Sequence, residues 1–322
     1  MGVNKEIYIP LYPPCLPAGR LYKRWNDLFP PFTKGREGGI TKERSMNEVR
    51  IGEIRIGKGN PLVLIAGPCV LEGEAVVLEI AKELKSLCGS LKIPLIFKAS
   101  YEKDNRGSEK SYKGPGLEEG LRILKKVKEK VGLPVLSDVH RIEDVDRAKE
   151  VLDVIQIPAF LCQQTSLLLK VGETGRVVNI KKGQFVAPEN MAGAVKKIHS
   201  TGNRQVLLTE RGTCFGYNKL ISDFCSIPIL QETGCPVIFD ATHVVRNYGI
   251  PSEDPRGGSP QYVPHLSRAA AAVGCNGLFL ETHPRPSQAL CDASSMIPLQ
   301  EMEGLLRQTK AIHDLIRTWG IT

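Results

Sequence analysis

Short apolar runs recur at a regular spacing along the chain: residues 61–67 (PLVLIAG), 94–99 (PLIFKA), 134–139 (PVLSDV), 154–158 (VIQIP), 177–181 (VVNIK), 205–210 (QVLLTE), 236–241 (PVIFDA) and 277–282 (GLFLET). Runs of this length without polar alternation predict strands buried on both faces, as in parallel sheets whose crossovers are helices. Helical periodicity fills the intervals, in EAVVLEIAKELKSL, GLEEGLRILKKVKEKVG, IEDVDRAKEVL, ENMAGAVKKIHSTG and VPHLSRAAAAVG, and a last helix, LQEMEGLLRQTKAIHDLIRTWG, follows the eighth run. Before the first, VRIGEIRIGKGN alternates as a short β-hairpin does. Eight strand-helix units predict the α/β class and a single closed (β/α)8 TIM barrel over residues 46–322. An open doubly wound sheet would need a Gly-rich first turn, and no GxGxxG follows the first strand.

Residues 1–45 break this rhythm. They hold six prolines and show neither period, which predicts a loose, irregular leader or a translation start placed too early. They lack the continuous apolar core of a secretory signal.

An α/β barrel carries its active site at the C-terminal ends of its strands. The eight runs end on Cys69; Lys98 and Ser100, followed by YEKDNRGS; Asp138 and His140; Gln156; Lys181 and Lys182; Glu210 and Arg211; Asp240 and His243; and Glu281 and His283. One such residue is ordinarily satisfied locally. The whole set at one end of a barrel predicts a pocket, and Lys98, Lys103, Lys181 and Arg211 suit a small, multiply anionic ligand such as a sugar phosphate or phosphoacid.

Composition narrows the partners. No apolar run approaches the roughly 18 residues needed to span a bilayer, so no membrane partner is expected. The formal net charge is +8, of which residues 1–45 carry +4, from eight Lys or Arg against four Asp or Glu. The rest is mildly basic, and no Cys/His finger or aromatic-interleaved basic motif supports a nucleic-acid partner. Nine cysteines without a CxxC pair predict free thiols in a reducing cytoplasm.

Cys69 by itself could be core filler, a nucleophile, a redox thiol or a metal ligand. His243, Glu281 and Asp292 are possible companions, since closure of a barrel makes its first, seventh and eighth strands neighbours. A mixed set of sulfur, nitrogen and oxygen donors suits Zn2+, Fe2+ or Mn2+ without selecting one strongly. A nucleophilic Cys69 would instead need a base such as His243 within hydrogen-bond reach.

The stretches LIAGPCVLEGE, KDNRGSEKSYKGPGLEEG, SDVH, IQIPAFLCQQT, VNIKKGQF, LTERGTCFGYNKLISDF, FDATHVV and LFLETHPRPSQALCDASSMIPL, in order from about residue 60 to 315, resemble the 3-deoxy-D-manno-octulosonate 8-phosphate synthases. The resemblance implies a (β/α)8 barrel that condenses phosphoenolpyruvate with D-arabinose 5-phosphate and water, releasing phosphate, in the making of a lipopolysaccharide sugar. It further implies a cytoplasmic homotetramer. Cysteine in the AGPC position marks the metal-dependent form, with Cys69, His243, Glu281 and Asp292 as ligands of a divalent ion.

By the same resemblance Lys98, Lys103, Lys181 and Arg211 hold phosphoenolpyruvate, and Gln156, Pro158, Ala159 and Phe160 line its pocket. Asn105 and Arg106 meet the aldose phosphate, with Ser100 and Ser108 beside them, and Asp138 and His140 organise the site and its waters. Gly107 stands where the pattern has a serine, leaving Ser108 as its substitute, and Gln163 and Lys113 stand where it has arginines. The related 3-deoxy-D-arabino-heptulosonate 7-phosphate synthases, which use erythrose 4-phosphate, carry KPRT where this chain has KDNR, so they form the alternative within the class. A non-catalytic sugar-phosphate-binding barrel is the alternative outside it.

Overall fold

The computed structural model describes residues 46–105, 108–214, 218–251 and 254–320. The expected leader, residues 1–45, lies outside the described residues.

A hairpin of β1 (Val49–Ile51) and β2 (Ile54–Ile56) comes first. Eight parallel strands follow: β3 (Val63–Gly67), β4 (Leu95–Lys98), β5 (Val135–Asp138), β6 (Val154–Ile157), β7 (Val177–Lys181), β8 (Val206–Glu210), β11 (Val237–Asp240) and β12 (Gly277–His283). They pair in chain order, and β12 pairs with both β11 and β3, which closes the ring. The short pair β9 (Thr213–Cys214) and β10 (Leu220–Ile221) lies after β8, and β13 (Ile297–Pro298) joins β12 outside the ring. Every ring strand starts within two residues of its apolar run, as the (β/α)8 reading expects.

Helices α1 (Glu74–Leu91), α2 (Leu117–Lys126), α3 (Val145–Ala148), α4 (Thr165–Gly172), α5 (Met191–Ser200), α6 (Ser226–Gln231), α7 (Val263–Val273) and α8 (Met302–Thr318) fill the crossovers. Two of them, α4 and α6, carry no strong periodic signal, and α3 is one turn where the pattern suggests three. In α1 the buried residues Val77, Ile80, Ala81, Leu84, Cys88 and Leu91 form one stripe against the sheet, which is where most helix stability originates. The helix ends where Lys92 turns left-handed and its N–H bonds back to the last turn.

The strands dictate the site by parity. Successive side chains alternate between faces, so on each strand one set faces the helices and the other the barrel axis. Ile65, Ile96, Leu136, Val154, Val177, Leu207, Ile238 and Phe279, one from each strand, belong with Val63 of β3 to a single buried inner cluster. Val49, Ile51 and Ile56 of the hairpin complete that cluster and plug the N-terminal end of the barrel. The Arg50 N–H donates to Gln205 Oε1 at 2.8 Å, tying the hairpin to the chain just before β8. Two residues further along each strand the inward positions read Gly67, Lys98, Asp138, Gln156, Asn179, Thr209, Asp240 and Glu281. The axis therefore changes within one layer from wholly apolar to almost wholly polar. Gly67 is required by a close approach, since a Cβ there would lie 2.1 Å from the Lys98 carbonyl oxygen.

His313, on α8, is buried, and neither ring nitrogen has a hydrogen-bond partner among the described residues. Burial pushes its pKa down to about 4, against the pull of Asp314. The folded state thus resists a proton that the unfolded chain accepts near pH 6.5, so stability is lost as pH falls from about 6.5 towards 4. The expected loss from this group is about 1–2 kcal/mol, and His313→Leu should remove that part of the pH dependence. Urea unfolding of both proteins at pH 7 and pH 5 checks it; equal pH dependence in the two would refute the assignment.

Candidate active site

The polar layer opens into a cavity of about 720 Å³ at the C-terminal end of the ring. Lys103, Asp138, Gln156, Lys181, Arg211, His243 and Asp292 form its wall, as do Pro158, Ala159 and Phe160 after β6 and Asn105 and Ser108 after β4. Lys98, Ser100, His140, Cys69 and Glu281 are not on that wall; they are the polar residues packed around it. Arg106 and Gly107 lie outside the described residues. Gln163 is exposed and does not line the cavity.

Three ionic units organise the layer. Lys98 is buried, and its Nζ is 2.6 Å from Glu281 Oε1 and donates to the Cys69 carbonyl at 2.7 Å. Lys181 Nζ lies 2.5 Å from Asp240 Oδ2 and 4.0 Å above the centre of the Phe279 ring, so an apolar floor carries a fixed cation. Burial pulls the Lys181 pKa down, with Asp240 and Glu281 acting against it. Asp138 joins the third unit: its Oδ1 accepts a short hydrogen bond from Ser100, and its Oδ2 lies 3.8 Å from Lys103 Nζ and 3.5 Å from His140 Nε2. Burial alone would raise the Asp138 pKa; the Lys103 and Lys98 charges and the Ser100 hydrogen bond reverse this and hold it below the usual carboxylate range. For His140 burial wins, lowering its pKa and keeping the ring neutral near pH 7.

Arg211, next in inward parity after Thr209, is buried with its Nη1 lacking a hydrogen-bond partner among the described residues. Its guanidinium sits 5.9 Å from the centre of the Tyr248 ring. A buried guanidinium nitrogen left unsatisfied at a cavity wall suits an anionic oxygen from a ligand.

The thiol, imidazole and carboxylates predicted from the strand ends do converge. Cys69 Sγ is 3.4 Å from Asp292 Oδ2, and His243 Nε2 is 3.6 Å from both Glu281 Oε1 and Asp292 Oδ2. Cys69, Cys291 and Asp292 make one cluster and His243, Glu281 and Asp292 another, with Asp292 common to both. Separations near 3.5 Å equal the edge of a coordination tetrahedron with bonds of roughly 2.0–2.3 Å. Glu281 Oε2 is buried without a hydrogen-bond partner among the described residues, an acceptor that a cation would satisfy. Asp292 adopts a left-handed φ of 52°, a conformation that only Lys92 shares among the described non-glycine residues. The donor set therefore fits a divalent ion.

Asp240 anchors this arrangement. Its Oδ2 is 2.8 Å from His243 Nδ1, and its Oδ1 accepts from the His243 N–H at 2.9 Å and the Thr242 hydroxyl at 3.1 Å. The ring is thereby turned so that Nε2 faces the two carboxylates, the role a carboxylate partner plays for a metal-binding histidine. Burial lowers the His243 pKa despite Asp240 and Glu281, leaving the neutral ring a ligand requires.

The strand ends place Asp240 in the polar set without naming its partner, and they do not point to Cys291 or Arg246. The inward parity of Asp240 was a readable signal. Cys291 is adjacent to Asp292 in sequence, yet only the fold places its sulfur 2.8 Å from that of Cys69. Arg246 Nη1 is 3.3 Å from Asp292 Oδ1, whereas His243 Nε2 is nearest the other oxygen, Oδ2.

Comparison with known proteins agrees with the geometry. The family model described as the DAHP synthetase I family matches residues 39–318. The 2-dehydro-3-deoxyphosphooctonate aldolase of Geotalea daltonii is 54% identical over 272 residues, covering 84% of this chain and 100% of the relative. That of Geobacter sulfurreducens is 52% identical over 270 residues, covering 84% and 99%, and that of Syntrophotalea carbinolica 51% over 269 residues, covering 84% and 97%. With this identity along the whole barrel, the chain belongs to the DAHP synthetase I family, among its 2-dehydro-3-deoxyphosphooctonate aldolases.

Proposed function

We propose that the protein condenses phosphoenolpyruvate with D-arabinose 5-phosphate and water to give 3-deoxy-D-manno-octulosonate 8-phosphate and inorganic phosphate. The observation that carries this reading is one cavity in which Lys103, Lys181 and Arg211 face the space beside the Cys69, His243, Glu281 and Asp292 donors. The enol ester carries a carboxylate and a phosphate on three carbons, and three convergent cations match it.

The reaction joins C3 of the enol ester to the aldehyde carbon, adds water at C2 and breaks the bond between C2 and the phosphate oxygen. Lys103, Lys181 and Arg211 hold the anionic ends and compensate the charge that grows on the departing phosphate. Gln156, Pro158, Ala159 and Phe160 close one wall against the reacting carbons. His140, neutral, and Asp138, ionised, form a pair able to hold the water and take its proton. Asn105, Ser108 and the mouth of the cavity are left for the aldose phosphate. A divalent ion held by Cys69, His243, Glu281 and Asp292 would supply orientation and polarisation of an oxygen on the aldehyde or the water. Orientation is the favoured role, and Fe2+, Zn2+ and Mn2+ all suit the donors.

The eight described cysteines form no disulfide, which supports a reducing cytoplasm, and no described helix is long and apolar enough to cross a membrane. The family resemblance supports a homotetramer, which light scattering on the purified protein checks. The activity is tested by phosphate release from phosphoenolpyruvate with each aldose phosphate in turn. Release with arabinose 5-phosphate at least about tenfold faster than with erythrose 4-phosphate is expected, a discrimination within reach of a few polar contacts. Preference for erythrose 4-phosphate would establish the heptulosonate reading, and no release with either would leave a binding protein.

A further inference from the structure

One hydrogen-bonded series in the polar layer goes unused by the cations and the metal donors. Gln156, Asn179 and Thr209 stand on the adjacent strands β6, β7 and β8 with inward parity, all three buried. Gln156 and Asn179 are partners in register, and Asn179 reaches diagonally to Thr209, which is level with Lys181. The Thr209 hydroxyl donates to Asn179 Oδ1 at 2.7 Å, and Asn179 Nδ2 donates to Gln156 Oε1 at 3.1 Å. With Oε1 occupied on the side of β7, the part of the Gln156 amide left for the cavity is its NH2 group. Beneath the series the inward residues are Val154, Val177 and Leu207, so no polar group below can replace a lost partner.

We propose that Thr209 and Asn179 are positioning residues that hold the Gln156 amide with Nε2 towards the cavity, as a donor to a carboxylate or phosphate oxygen of the three-carbon anion. This rests on the reading that the cavity binds phosphoenolpyruvate. A carboxylate or phosphate oxygen only accepts, so a Gln156 turned the other way would set a carbonyl against it. Reversal of Gln156 alone is opposed because it would place two NH2 groups face to face and leave buried amide atoms unsatisfied, and reversal of the whole series, with the Thr209 hydroxyl accepting, would set the Gln156 carbonyl against the anion. Removing the Thr209 hydroxyl leaves the buried Asn179 Oδ1 without its partner, which loosens Asn179 and, through it, the Gln156 amide. Thr209 does this without touching the ligand.

Steady-state kinetics test the proposal. Thr209→Val, of nearly the same shape, should raise KM for phosphoenolpyruvate about 5–20-fold, the size of one buried hydrogen bond. The kcat should stay within about threefold, KM for arabinose 5-phosphate should not move, and Thr209→Ser should restore the wild-type values. In a Gln156→Leu background Thr209→Val should have no further effect on KM, because the hydroxyl acts only through that amide. An unchanged KM in Thr209→Val, an equally impaired Thr209→Ser, or additive effects with Gln156→Leu would each overturn it. Should Thr209→Val not fold, Thr209→Ala takes its place with the same expected split. Failure of the wild-type protein to release phosphate overturns the functional reading, whereas an active wild type with a KM indifferent to Thr209 overturns this inference alone.

Discussion

Lys181→Met is expected to lower kcat/KM by at least about a thousandfold, the size seen when a preorganised charge aimed at the transition state is removed. The side chain projects from the end of β7 over the Phe279 ring, where the low polarisability of its surroundings strengthens its field. Its partner Asp240 is fully buried, 2.5 Å away, pairing with the Lys181 charge on one side and with His243 Nδ1 on the other. Methionine keeps the length of the side chain and removes the charge, so the anion loses a clamp and Asp240 keeps a buried charge with only His243 to pair it. Stability should fall by about 1–3 kcal/mol for that reason, seen as a lower midpoint in urea. Kinetics on the folded variant decide the matter: activity within tenfold of wild type would show that Lys181 serves the fold and not the reaction.

Cys69→Asn is expected to weaken binding of a divalent ion by at least about tenfold while leaving part of the activity. The thiol is buried, and burial raises its pKa well above that of a free cysteine, so it is inert unless a cation stabilises the thiolate. Asparagine offers an amide oxygen of similar reach but no charge, leaving His243, Glu281 and Asp292 to hold the ion. Cobalt loading gives a readout independent of turnover, since the intense thiolate-to-metal absorption should be present in the wild type and absent in the variant. Chelation followed by return of Fe2+, Zn2+ or Mn2+ measures the contribution of the ion. Full activity of the wild type after complete removal of metal would eliminate the metal role, and complete inactivity of a well-folded, metal-loaded Cys69→Asn would favour hydroxide generation over orientation.

Much of this was legible in order along the chain. Uninterrupted apolar runs mark strands buried on both faces, and eight of them with helices between leave few topologies besides a closed ring. The residues at their ends marked the cavity, and Lys103, Asp138, Gln156, Lys181, Arg211, His243 and Asp292 all reach its wall. Less legible were α4 and α6, whose short segments TSLLLKVG and SIPILQ are too brief for periodicity to separate them from loops. Lys98 shows what only the fold adds: its position predicts a cation for the anion, and in the folded protein its buried ammonium is also paired with Glu281.

The sequence by itself determined the strand count, the chemistry offered at each strand end and, through the two-residue period, which side chains share a face, because these depend on local geometry and burial alone. Only the tertiary structure decided which of those groups meet. Closing β12 onto β3 brings Cys69 to Asp292 across 223 positions of chain. The same closure makes a neighbour of Cys291, and the stagger of β7 against β8 lets Thr209 reach Asn179. Those distances arise from the register of the whole ring, a property of all eight strands together that no single segment encodes.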